Sequence, residues 1–246
     1  MFDKEGIKNY VRLYKSILSK HQIIVPDKDL SNIYKLIVLT FELDDLYDSV
    51  DKAFNKVELE AIKKEMISLM PNRHPIALHS IEIVFKAMDD EAHSDLSQSL
   101  DSYLRVCSKS IGAQIIAGYL ASKTCINLNI WLSKIIAKFN NEIDDIIRLA
   151  NDYLDITVDA RRMSEESPQI KAINFFRCKF EFKSYLCCRY LFHKVHYYLY
   201  LVGFKYFHIS SQWKDYIVAI SCSESVLDFA VKAYITDKKS CREPAH

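Results

Sequence analysis

The chain has 246 residues, 50% apolar and 26% charged, with a formal net charge of +1. That length suits one domain with a full hydrophobic core, and the near-cancellation of charge excludes a general nucleic-acid or membrane-surface binder. Only four glycines and five prolines punctuate it, so glycine-rich phosphate loops and turn-dense strand architectures have little to be built from, and long helices remain.

Hydrophobic spacing near 3.6 residues recurs almost to the end, so the expected fold class is all-α. A single-domain helical bundle is expected over 1–237, with a flexible tail over 238–246. In chain order, helices are expected over 4–20, 28–52, 56–69, 75–90, 95–122 with a break near Gly112, 125–139, 141–164, 168–206, 210–221 and 223–236. Pro26 and Asp27 precede the second helix, Pro71 and Pro75 bracket a loop, and Ser167-Pro168 sets a proline at a first helical position. The aromatic stretch from Tyr185 to Phe207 is interrupted by Arg189, Lys194 and Lys205, and is expected to be a buried helix whose bases reach outward rather than a membrane span. The seven cysteines include no C-x-x-C pair and no zinc spacing, and the opening MFDKEGIKNY has no signal-peptide pattern, so a cytoplasmic location is expected.

Residues 41–51 read FELDDLYDSVD near the end of the second expected helix. Ile37, Phe41, Asp44 and Asp48 recur at helical spacing, which is expected to put two carboxylates on the core-facing stripe with Asp45 beside it. Ionised carboxylates in such a place need compensation, and a hard cation such as Mg2+, which bridges carboxylates to phosphates, supplies it. The alternative is a solvated acidic helix end, since Asp89-Asp90 and Asp144-Asp145 are acidic doublets too.

Residues 148–162 read RLANDYLDITVDARR, where Asn151, Asp155 and Asp159 repeat along one helical face. Ile143, Ile147, Ala150, Leu154 and Val158 form the apolar stripe of the same helix, leaving the three oxygen-bearing side chains at the core's edge. An amide with two carboxylates suits one Mg2+ ion with sites left for diphosphate and water, and Arg161 and Arg162 suit diphosphate itself. An exposed acidic face closed by basic residues at the helix end is the plainer reading.

An aromatic followed by D-D-x-x-D, with an Asn-led acidic helix roughly a hundred residues later, resembles class I terpene synthases. Phe41, Asp44, Asp45 and Asp48 match the first signature. Asn151, Asp155 and Asp159 match the second, with Asp155 in place of the usual Ser/Thr and Asp159 in place of Glu. YLRVCSKSIG over 103–112 is similar to the family's broken helix, although the expected arginine position falls at Cys107 or Ser108, with Arg105 slightly early. The resemblance implies a helical bundle of the isoprenoid synthase type with a central cavity. It also implies three Mg2+ ions held by Asp44, Asp45, Asp48, Asn151, Asp155 and Asp159 against a geranyl, farnesyl or geranylgeranyl diphosphate, with Arg105, Arg161 and Arg162 on the diphosphate. The implied reaction is ionisation followed by cyclisation, in a chain able to form a homodimer.

The same D-x3-D spacings and the run DARR over 159–162 resemble squalene and phytoene synthases, which join two prenyl diphosphates head to head. A non-enzymatic helical interaction protein and a dimetal phosphohydrolase on a helical bundle also stay open. His193, His196 and His208 recur beside neither acidic motif, so they read as structural. The aromatic cluster of Phe175, Phe176, Phe180, Phe182, Tyr185 and Tyr190 reads as core packing rather than as a cation-stabilising wall.

Overall fold

The computed structural model describes residues 4–48, 56–94, 99–158, 175–176, 178–207 and 212–232. Among the described residues the chain forms ten α-helices and no strand. They are α1 (Lys4–Lys20), α2 (Asp27–Asp48), α3 (Lys56–Leu69), α4 (Pro75–His93), α5 (Leu100–Cys107), α6 (Ala113–Lys123), α7 (Leu128–Trp131), α8 (Lys134–Val158), α9 (Lys179–Phe207) and α10 (Trp213–Val231). None is long and apolar enough to cross a membrane.

Local chemistry starts several of them. His74 accepts the Ile76 amide at 3.3 Å ahead of Pro75 at the first position of α4, and Ser99 accepts the Ser102 amide at 3.1 Å to open α5. Asn127 opens the single turn of α7 by accepting the Asn129 amide at 2.8 Å.

Helix α6 is the axis of the bundle: from Ala113 to Ser122 every side chain is buried, and α2, α4, α8 and α10 pack around it. Gly118 brings α4 in closely, because a Cβ there would collide with the side chain of Ser80. At its start, Gly112 has φ +76, a left-handed conformation that lets the chain turn between α5 and α6. This is the break expected near Gly112. A Cβ there would meet the Thr40 side chain of α2, so the break is wedged against that helix.

Three helices run against the α5–α6 segment and therefore parallel with one another. On α2, Asn32 bonds Tyr119 at 3.3 Å while Thr40 abuts Gly112. On α4, Ser80 abuts Gly118, whereas Glu91 lies near Cys107. On α8, Asn140 and Asp144 bond Gln114, Arg148 bonds Ser110 and Asp152 bonds Tyr103.

Some expected boundaries differ. The break expected near residue 140 falls instead at Leu132 and Ser133, because Asn140 is buried and its amide is used by Gln114 and Ser223, so α8 runs on through it. The break expected near 222 is absent from α10, where Ser223 and Ser225 bond backward to Ala219 and Cys222 carbonyls within the helix. Helix α9 is buried on one face only: Leu191, Phe192, Val195, Tyr198 and Leu199 are exposed, which corrects the expectation of a buried helix. Ser167-Pro168 and the tail over 238–246 lie outside the described residues.

Candidate active site

The C-terminal turns of α2 and α4 meet at one end of the bundle, where the second half of α8 reaches α4 through Arg148. Tyr47, on the last turn of α2, lies close enough to Asp89 of α4 that its phenol is pushed above the usual range, by burial first and by the Asp89 charge second. Two residues further along α4, Glu91 takes the guanidinium of Arg148 at 3.1 Å. The end of α2 that carries the first acidic motif is thus linked through α4 to the helix that carries the second.

Arg148 is the centre of this end. It is buried, donates to the Tyr103 hydroxyl at 2.9 Å, Ser110 at 3.4 Å and Glu91 at 3.1 Å, and lies 3.0 Å from the Asp152 carboxylate as an ion pair. Tyr103 in turn donates to Asp152 at 2.7 Å. A buried guanidinium is tolerable only when its fork is filled in this way. Burial works against its charge, but the carboxylates of Asp152 and Glu91 outweigh it and hold Arg148 firmly protonated. Burial, followed by the nearby Glu91, raises the Cys107 thiol well above its usual range, so this cysteine stays a thiol.

A pocket of about 270 Å³ opens on the flank of the same α5–α8 contact, lined by Asp101, Arg105, Lys109, Asp144, Asp145 and Arg189 among others. Asp145 accepts Ser108 at 2.6 Å and Arg189 at 2.8 Å, tying the break and α9 to α8. Asp144 is fully buried, and both its oxygens accept the Gln114 amide, at 2.9 and 3.1 Å. Burial raises its carboxyl to about 8, with the Asp145 charge adding to the effect and Gln114 and Lys109 opposing it.

The positions expected from the sequence are distributed as follows. Asp44, Asp45 and Phe41 are exposed, with Phe41 at 50%. The buried stripe of α2 is Leu30, Ile33, Leu36, Leu39 and Leu43, about a quarter-turn away, so the expectation that Asp44 faces the core is corrected. Asn151 is half-buried on α8, one residue from the sealed Asp152, in keeping with an edge position. Ile143, Ile147 and Ala150 are buried as expected. Asp48 and Asp155 lie on helical backbone with side chains outside the described set, and Asp159, Arg161, Arg162 and His208 lie outside the described residues altogether. Arg105 is exposed, bonds Ser102 at 3.3 Å and lines the flank pocket, which the described ligand candidates Asp44, Asp45 and Asn151 do not line. Among the described residues, no three His, Cys, Asp or Glu side chains gather as a metal site.

Sequence reasoning missed the buried set of Asp144, Arg148 and Asp152. Its signal was present, because acid, base and acid recur at four-residue steps on a face adjacent to Asn151. His193 and His196 serve the structure: His193 bridges Glu142 and Glu224, and His196 meets Glu142 at 3.5 Å. Phe176 stacks on Phe182 at 4.5 Å and Tyr185 carries Arg189, the core packing expected of that cluster, whereas Phe180 is exposed. No protein family, curated protein or solved structure matches the chain.

Proposed function

We propose that the chain is a class I isoprenoid synthase of the terpene cyclase kind, ionising a linear prenyl diphosphate with Mg2+. One observation carries the reading. Helices α2 and α8 run parallel, and the α5–α6 break touches both, at Thr40 and at Arg148, about one turn before the two acidic motifs. The end of α2 that carries the first motif and the part of α8 that opens the second therefore lie at the same end of the bundle, on either side of that break.

The donors fit a hard cation, being carboxylate and amide oxygens on helical spacing with neither thiol nor imidazole among them. Asp44, Asp45 and Asp48 from α2 would hold Mg2+ from one side, and Asn151, Asp155 and Asp159 from the other. When bound, the ions would supply charge to the departing diphosphate. The chain's own residues do the rest. The diphosphate leaves with the electron pair of the allylic C–O bond, and Arg161 and Arg162, the next cations along from Asp159, neutralise its charge. Arg148 does not take this role, because its donors are committed to Glu91, Asp152, Tyr103 and Ser110. It acts by fixing the backbone from which Asn151 projects.

The exposure of Phe41 and Asp44 favours a second reading, in which the acidic end of α2 docks a basic partner without chemistry.

The deciding experiment incubates the full chain and Mg2+ with geranyl, farnesyl and geranylgeranyl diphosphates in turn, measuring diphosphate release and products. The control is the Asp44→Ala/Asp155→Ala variant. Metal-dependent release of diphosphate with a hydrocarbon or terpene alcohol, abolished in the control, supports the cyclase. A product with twice the carbons assigns head-to-head condensation instead. No release from any substrate by folded protein defeats the enzyme reading and leaves the docking one.

A further inference from the structure

Helix α9 is apolar on two opposite faces. One packs into the bundle through Phe182, Leu186, His193, Tyr197 and Phe204, all buried. The other carries Phe180, Leu191, Val195, Tyr198, Val202 and Tyr206, spaced three, four or more residues apart along one stripe, with Phe180 79% and Tyr206 69% exposed. Phe192, Leu199, Cys187 and Cys188 widen it. No charged residue interrupts the stripe between Cys187 and Val202. A helix that is apolar round most of its circumference is ordinarily covered on both sides.

We propose that the outer face of α9 is where a second copy of this chain docks, as an antiparallel α9–α9 contact whose two-fold axis crosses the outer face at the level of residue 193, between Leu191 and Val195. The area supports it. An aromatic side chain presents roughly 150–250 Å², so Phe180, Phe192, Tyr198 and Tyr206, each more than 60% exposed, offer on the order of 500 Å² between them. The four aliphatic residues bring the total near the roughly 800 Å² that each partner contributes to a standard interface. The order of residues supports it as well. Phe180 and Tyr206 are equally far from His193, and so are Cys187 and Leu199, Cys188 and Tyr198, and Leu191 and Val195. A contact between identical surfaces requires this self-complementarity, because each residue meets its counterpart in reverse order. Lipid is a poorer occupant. A helix lying in a membrane surface turns a charged, base-rich face to water, whereas the face of α9 opposite the stripe is packed into the bundle.

The test is sedimentation velocity on the full chain over a range of concentrations, for the parent, a Leu191→Glu/Val195→Glu variant and a Val57→Glu variant that alters an exposed apolar residue elsewhere. The expected result is a parent species of twice 28.7 kDa, unchanged in Val57→Glu and weakened about 100-fold or more in the α9 variant, because each copy then buries two unpaired charges. Unchanged helical circular dichroism in the α9 variant would show that the monomer still folds. A monomeric parent at its highest soluble concentration overturns the proposal, as does a dimer that survives the α9 substitutions. A monomer that floats with phosphatidylcholine vesicles only when the stripe is intact assigns the face to lipid instead.

Discussion

Arg148 on α8 reaches Glu91 at 3.1 Å across 57 residues of sequence, so one guanidinium fastens the body of α8 to the last turn of α4. Because it also holds Asp152 at 3.0 Å, the side chain cannot be removed without stranding the sealed carboxylate of Asp152 and unpairing the half-buried one of Glu91. Arg148→Met is expected to lower unfolding stability by about 3–5 kcal/mol, measured by urea titration. Arg148→Lys is expected to recover only part of that, since an ammonium cannot reach Tyr103, Glu91 and Asp152 together. A loss below about 1 kcal/mol would show that the cluster contributes little.

Asp144 gives the protein a pH dependence of defined sign. Its carboxyl is raised from the ordinary aspartate range to about 8 by burial, so the folded chain keeps a proton that the unfolded chain releases. This contribution to stability is complete below about pH 4 and is lost as the pH rises to about 8. Asp144→Asn keeps an acceptor for Gln114 and removes the titration. Thermal melts should show a flatter profile over that interval, and a variant at least as stable as the parent at pH 8.

His193 acts in the same direction through different chemistry. Its two ring nitrogens face Glu142 at 3.3 Å and Glu224 at 2.7 Å, and only the imidazolium carries N–H on both. Burial opposes the charge, but these carboxylates outweigh it and raise the imidazole above its usual value. The stabilisation is full below about pH 6.5 and fades as the pH rises through the raised value. His193→Gln should cost about 2–4 kcal/mol at pH 6 and less at higher pH. A cost independent of pH would show that His193 is neutral in the fold.

Gly112→Ala meets two separate obstacles, the left-handed backbone at φ +76 and the Thr40 methyl. The expected loss is about 2–4 kcal/mol, of which about 1–2 kcal/mol belongs to the backbone. Adding Thr40→Ser removes the methyl and keeps the hydroxyl that bonds Leu36 at 2.8 Å. It should restore only the steric part, which a double-mutant cycle in urea separates.

Much of the helical order was legible because its punctuation is local. Pro26 before α2, Pro71 and Pro75 around the turn before α4, and Gly112 at the break each act through their own backbone, and the helices over 4–20 and 56–69 end where expected. What failed depended on neighbours. Asn140 looks like a helix stop, yet Gln114 and Ser223 occupy its amide and α8 continues. Phe41 looks like core, but α2 rotates to bury Leu39 and Leu43 instead. In the sequence, Asp144 and Asp152 look like further members of the acidic runs around them. Their partners, Gln114 and Tyr103, are brought to them only by the fold.

The Gly118–Ser80 contact has a mechanical consequence. Where α4 and α6 touch, a hydroxymethyl group lies directly on backbone, with no long side chain between them to change rotamer, so sliding one helix past the other would force atoms into overlap. That pair is the stiff frame of the molecule. Helix α9 meets α8 and α10 through large side chains, the buried Phe182, Leu186 and Phe204 among them, and through the longer reach of Arg189 to Asp145 and of Lys194 to Glu224 and Asp228. Long side chains of this kind can change rotamer, so a small shift of α9 forces less overlap than a shift of α4 against α6.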